Sequence, residues 1–317
     1  MWLLWLLGTV AIWPGLGWYA LHHRKTMGYR LCLFLMVALP FLLPWTAPSA
    51  SSGLRFVLLI PGLLLMGKTW ELATNRPSSP THFADWRRFN AWALCPPEGV
   101  LCTDADSKSQ VIRHGRALGI RGIGKILCMT VLLALNDAVE LHEVKAVSLI
   151  WMVFLMHFAF GGVVDVVGAL AAVFGVQQTD FLRSPVIARN PRDFWARRWN
   201  LWFTKTANRL IFQPLGGSRK PVFAGMTVFA FSAVMHEYMV FVSLQRFDGR
   251  MLLFFGLHGV VTMAHTAYAQ GLGRTLQIPQ PLAVAMHLVW FIAASPLFFG
   301  PVNEVFALST WSLRDWI

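Results

Sequence analysis

Long apolar runs alternate along this chain with polar intervals, and the runs have the length of bilayer-crossing helices, about 20 residues each. Eight are expected, at 2–21, 31–46, 54–73, 119–136, 146–175, 221–245, 251–270 and 282–300. The second is short and interrupted by Pro40 and Pro44, and the fifth is long enough to tilt or break near Gly161 and Gly162. No basic segment precedes the first run and no small-residue cleavage site is evident, so it reads as a retained helix rather than a secretory signal. The pattern predicts an all-α polytopic membrane protein. One membrane-embedded domain over residues 1–317 would hold about eight transmembrane helices plus interfacial amphipathic ones.

Two polar intervals interrupt the apolar pattern. In the first, about 74–118, the flanks, including THFADWRRFNAW, predict short interfacial helices around a flexible middle of CPPEG and Thr103–Gln110. The second, about 176–220, contains the run NPRDFWARRWNLWFTKTANRLIFQPL. Asn190 is placed as an N-cap, Pro191 suits the first helical position, and Asp193 favours the positive end of the helix dipole. The helix they start is expected to run to about Phe212 and stop before Pro214. Arg197, Arg198, Lys205 and Arg209 alternate there with Phe194, Trp195, Trp199 and Trp202. That makes an amphipathic helix for the headgroup region, which charge pattern alone explains as a passive anchor.

Composition agrees with a membrane protein: 56% of residues are hydrophobic and 13% charged, where a soluble domain has about 25% charged. The 15 Trp fit interfacial anchoring. With the N-terminus outside, 22 of the 27 Lys and Arg fall on the inner side and 5 on the outer. That is a strong positive-inside bias, and with eight spans it puts both termini on the non-cytosolic side. The net charge of +12 then reflects orientation and contact with membrane lipids, not nucleic acid, for which no binding module is visible. Cys32 and Cys128 lie in spans, and Cys95 and Cys102 are expected as cytosolic thiols without a zinc pattern.

His236 is the outstanding chemical residue, because it lies inside the apolar stretch FSAVMHEYMVFVSL. An ionisable group is costly there, so chemistry is the default reading, with a structural histidine bonded to a neighbouring helix as the alternative. A neutral imidazole in an apolar site can act as a general base. Glu237 follows directly, but consecutive helical residues diverge by about 100°, so it need not hold the ring. Ser232 at i−4 and Ser243 at i+7 are better placed. HEYMV is not a zinc-protease signature, and there is no P-loop, GxGxxG or GxSxG.

The two runs together, NPRDFWARRWNLWFTKTANRLIFQPL and VMHEYMVF, resemble the paired signature of the membrane-bound O-acyltransferases, and within them the wax synthase branch. FWARRWN and HEY are also similar to the corresponding runs of diacylglycerol and sterol acyltransferases. The resemblance is specific over about 155–270 and general elsewhere. It implies catalytic roles for His236, as general base, and Asn200, as second active-site residue. It implies acyl-CoA as donor co-substrate and a hydrophobic alcohol or other hydroxyl compound as acceptor, with no metal or bound cofactor. Arg197, Arg198, Lys205 and Arg209 become candidates for the CoA phosphates, and Trp199, Glu237 and Ser232 for supporting roles.

A competing class is a transporter or channel for lipid or small solute, with His236 and Asp165 lining a pathway. The lack of internal repeats argues against it. A third class is a binding or scaffold protein that keeps the fold without activity. The endoplasmic reticulum, or the inner membrane of a bacterium, would be the location.

Overall fold

The computed structural model describes residues 2–23, 26–48, 51–74, 86–93, 97–102, 105–139, 145–271 and 278–307. Cys95, much of the first polar interval and the basic positions Arg24, Lys25, Arg76, Arg274 and Arg314 lie outside the described residues. The helices are α1 (Trp2–His22), α2 (Met27–Leu42), α3 (Ser52–Ala73), α4 (Trp86–Ala93), α5 (Ala105–Val139), α6 (Lys145–Val173), α7 (Pro191–Arg197), α8 (Leu201–Ala207), α9 (Pro221–Leu244), α10 (Arg250–Gly271) and α11 (Gln280–Phe306). Two-residue strands β1 (Val100–Leu101) and β2 (Val176–Gln177) pair antiparallel.

Seven helical segments among the described residues are long and apolar enough to cross a membrane, and the chain is an integral membrane protein. They are Met27–Thr46, Ser52–Ala73, Ser107–Val139, Ile150–Val173, Pro221–Leu244, Arg250–Gly271 and Gln280–Phe306. The expected first span forms as the 21-residue α1, with Pro14 inside it.

Two other expectations are corrected. Helix α5 begins at Ala105, not near residue 119, so part of the segment read as flexible is helical. The stretch from Ala105 to His114 contains no Pro or Gly, and Val111 and Leu118 are buried two turns apart. Helix α6 runs unbroken through Gly161 and Gly162. A Cβ at Gly161 would lie 3.2 Å from Leu182 Cδ1 and Lys125 Nζ, so that glycine permits a close approach rather than a break.

The chain divides into two compact units, Met1–Gly122 with Asp165–Thr179, and Ile123–Val164 with Asp180–Ile317. In the first, Trp13, Met36, Phe89 and Trp92 form a buried cluster, and the Trp13 indole donates to the Met36 carbonyl at 3.1 Å. Gly115 and Gly119 face Ala172 and Ala169, so small residues let α5 and α6 approach closely. One charge pair is buried here, and a second has a buried carboxylate and an exposed arginine. Lys68 Nζ meets Glu71 Oε2 at 3.1 Å and lies over the Trp92 ring, while Glu71 Oε1 accepts from the Glu98 amide at 2.7 Å. Asp165 is forked by Arg121, with both bonds at 2.7 Å.

The second unit is built on the antiparallel pair α9 and α10, with α11 packed against both. Gly225 lets Met263 in against α9, and Gly259 accepts Phe229, for which a Cβ would lie 3.0 Å away. Phe254, Phe255, Met251, Ala294 and Phe299 fill the core with side chains of α5 and α6.

Candidate active site

The site starts from the helix break between α7 and α8, at Trp199–Asn200. Asn190 caps α7 as the sequence suggests, its Oδ1 accepting from the Asp193 amide at 2.8 Å. The expected single helix to Phe212, however, is two short helices and a π turn at Asn208–Phe212. Asn200 takes the left-handed conformation, φ 41°, and caps α8 by accepting from the Phe203 amide at 3.1 Å. Asparagine tolerates this backbone better than other non-glycine residues and is a strong N-cap, which is the local reason for the break. The preceding segment stabilises it: Arg183 N donates to Arg198 O at 2.8 Å, and Leu201 N to Phe181 O at 3.0 Å.

Arg198 is spent on the same scaffold. Its Nε meets Asp193 Oδ2 at 2.8 Å, and its Nη1 reaches the Arg183 and Ser184 carbonyls. Thr204 Oγ1 ties α8 back to α7 by donating to the Trp195 carbonyl at 3.0 Å.

His236 lies on α9. Its Nδ1 sits 2.8 Å from the Ser232 carbonyl oxygen, one turn back. A carbonyl only accepts, so Nδ1 carries the hydrogen and Nε2 carries the lone pair. Nε2 makes no hydrogen bond among the described residues. The ring is held between Phe255 at 4.3 Å and Phe298 at 6.2 Å, centroid to centroid. The orienting group is thus a backbone carbonyl, not a carboxylate. Glu237 points elsewhere: its Oε1 accepts from the Asp248 and Gly249 amides, both at 2.7 Å, and so fastens the turn between α9 and α10. Beyond that turn Arg250 forks Asp248 and also meets Glu304, which Arg246 contacts too. Ser243 is turned onto the Met239 carbonyl.

A cavity of about 480 Å³ joins these elements, within the roughly 300–1,000 Å³ typical of small-molecule sites. It follows α9 from Pro221 to His236, a rise of about 22 Å at 1.5 Å per residue. His236, Asn200, Trp199, Ser232 and Lys205 all line it. Arg197, Arg198, Arg209 and Glu237 do not. Arg192, Thr262 and Thr266 line it as well and were not singled out in the sequence. Arg192 is an exposed cation beside the helix-starting Pro191, a signal that was present. The two threonines lie outside both runs, some sixty residues after Asn200, and only the pairing of α10 with α9 brings them in. Asp165, the other residue of the pathway reading, is engaged by Arg121 and does not line the cavity.

Residues 179–257 match the model of the Membrane bound O-acyl transferase family. Three proteins of Arabidopsis thaliana are similar. Acyl-CoA--sterol O-acyltransferase 1 is 24% identical over 159 residues, 47% of this chain and 46% of that protein. Probable long-chain-alcohol O-fatty-acyltransferase 2 is 30% identical over 149 residues, 42% of each chain. Probable long-chain-alcohol O-fatty-acyltransferase 7 is 28% identical over 107 residues, 31% of this chain and 32% of the relative. The matched part of the chain spans less than half the length of each of these relatives. The matched family segment carries both Asn200 and His236, and over that segment the chain is similar to the membrane-bound O-acyltransferases.

Proposed function

We propose that the protein transfers an acyl group from acyl-CoA to the hydroxyl of a lipophilic acceptor, with a long-chain alcohol as the first acceptor to test. One observation carries the reading. His236 and Asn200 line the same cavity, and each has one polar group bound to backbone and the other left for a ligand. The Asn200 oxygen caps α8, so its Nδ2 offers hydrogens. The His236 Nδ1–H is bonded to Ser232, so its Nε2 offers a lone pair.

In this mechanism Nε2 takes the acceptor's hydroxyl proton as the oxygen attacks the thioester carbonyl. Asn200 Nδ2 donates to the carbonyl oxygen as it becomes negative. The C–S bond then breaks, and the imidazolium returns its proton to the departing CoA thiolate. The products are an ester and free CoA. The aromatic walls, including Phe255 and Phe298, keep water from the thioester. Arg192 and Lys205 line the same cavity and suit the phosphates of a donor whose flexible arm reaches His236. On this reading the basic interval 176–220 is cytosolic and both termini are not, as the charge asymmetry favours.

The test is direct. Membranes with the wild type or His236→Ala are given mass-labelled acyl-CoAs of several lengths with an alcohol, diacylglycerol and sterol panel. Labelled ester is read by lipid mass spectrometry. Ester from the wild type alone is expected. Equal ester from both, or none from any pair, would overturn the assignment.

A further inference from the structure

A second histidine of the same unit has no part in the proton transfer, yet it is bonded to the cavity wall. His258, on α10, is completely buried. Its Nδ1 lies 3.2 Å from the Trp195 indole Nε1. An indole N–H only donates, so this Nδ1 must be the bare nitrogen. The two histidines therefore hold opposite tautomers: Nδ1 donates in His236 and accepts in His258. A ring with its Nδ1 fixed on an indole and its body packed on Phe254, Trp290 and Phe291 has no route to a substrate hydroxyl.

Trp195 itself lines the cavity and is a junction of the site. Its ring lies edge-on to Phe229 of α9 and tilted against Phe255 of α10, the residue on which His236 rests. Its carbonyl receives Thr204 of α8. Helix α7 has only seven residues, too few to hold itself in place, so tertiary contacts must fix it. Ring contacts allow sliding, whereas the indole–imidazole bond has a direction. Asn200 follows five residues after Trp195, on a strained left-handed backbone. We propose that His258 is a positioning residue for the active site: by accepting from Trp195 it fixes α7 on α10 and so sets Asn200 against His236. This rests on the acyltransferase reading above.

The test is a double-mutant cycle with a conservative rescue. Trp195→Phe removes the donor, His258→Phe removes the acceptor and keeps a ring, and the double variant removes both. His258→Asn restores an oxygen on Cγ, where Nδ1 was attached. Turnover, donor KM and thermal unfolding are measured for each. We expect each Phe variant to lose about tenfold in kcat with donor KM within about twofold. The double variant should be no worse than the worse single one, and His258→Asn should regain most of the rate. Multiplying effects, or His258→Asn as impaired as His258→Phe, would overturn the proposal. A His258→Phe protein that does not fold leaves the Trp195→Phe and His258→Asn comparison to decide it. A wild type without acyl transfer would remove the underlying function and the positioning role with it. In that case non-additive unfolding temperatures would still support the bond, and additive ones would refute it.

Discussion

The ion pairs of the first unit and the cavity residues of the second commit their polar groups in opposite ways. In the first, Lys68 is held by Glu71, Glu71 also holds the Glu98 amide, and Asp165 is forked by Arg121. Those groups are spent on protein partners. In the second, His236 and Asn200 are each half spent, on a backbone carbonyl and a backbone amide, and turn their remaining groups to a cavity. Burial of a charge or an imidazole in a membrane protein is thus not itself a sign of chemistry. A partly committed group facing a cavity is the sign, and a closed pair is fold.

The largest expected effect breaks this contrast at both ends. His236→Ala should lower acyl transfer by at least about 100-fold, the lower range of general-base contributions, with the unfolding temperature unchanged. Glu71→Ala should do the reverse in kind, because it takes a carboxylate away from Lys68, which is 0% exposed. A buried pair broken on one side costs about 3–5 kcal/mol, read as a lower unfolding midpoint. If His236→Ala unfolds the protein, or Glu71→Ala is silent in a thermal scan, the two regions do not differ as described.

Glu237 sharpens the contrast, since it lies beside the base yet belongs to the closed kind. Two amides donate to one carboxylate oxygen, so Glu237→Ala should cost about 3 kcal/mol of stability, at about 1.5 kcal/mol or more per charged hydrogen bond. Glu237→Gln keeps an acceptor oxygen and should recover much of that. Neither variant should move the pH at half-maximal rate, because Glu237 neither touches His236 nor lines the cavity. A displaced pH–rate curve would return Glu237 to the proton-transfer chain. The adjacent turn has its own acid limit. The Arg250 guanidinium beside Asp248 holds that carboxyl below the ordinary carboxylate range. The unfolded carboxyl therefore binds protons first as pH falls, and the stabilisation is complete above about pH 4 and lost in more acidic solution. Asp248→Asn should lower stability at neutral pH and flatten the acid end of the stability curve.

Much of this was legible in the sequence, for physical reasons. Spans were readable because a bilayer demands long apolar helices, and the expected first span forms as α1. Asn190, Pro191 and Asp193 marked the start of α7 because capping is local. The break at Asn200 was missed, because it depends on the Phe181 and Arg183 backbone meeting the chain from another segment. The same limit applies to Arg198, which charge pattern offers to a ligand but whose neighbours, Asp193 and the Arg183 and Ser184 carbonyls, are set by the fold. Thr262 and Thr266 enter the cavity through helix pairing, which no spacing in the motif encodes.

The smallest expected effect concerns the cations of the segment 191–212. Charge pattern treats Arg197, Arg198, Lys205 and Arg209 alike, whereas the cavity takes Lys205 from that group and adds Arg192. Both are exposed, so solvent screens whatever they contact and a large contribution is ruled out. A cation near an anionic group at a membrane surface contributes about 1 kcal/mol, which is about fivefold in binding. Arg192→Gln and Lys205→Gln should therefore raise donor KM about fivefold, with acceptor KM unchanged and kcat nearly so. Arg197→Gln and Arg209→Gln should leave donor KM at the wild-type value in neutral detergent. Arg198→Gln should lower the unfolding temperature, since it removes the tie to Asp193. Salt separates the readings further: the donor KM of the wild type should rise with ionic strength, and that of the Arg192, Lys205 double variant should rise less. Equal salt dependence in both, or a raised KM in the Arg197 and Arg209 variants alone, would move the donor's phosphates away from Arg192 and Lys205.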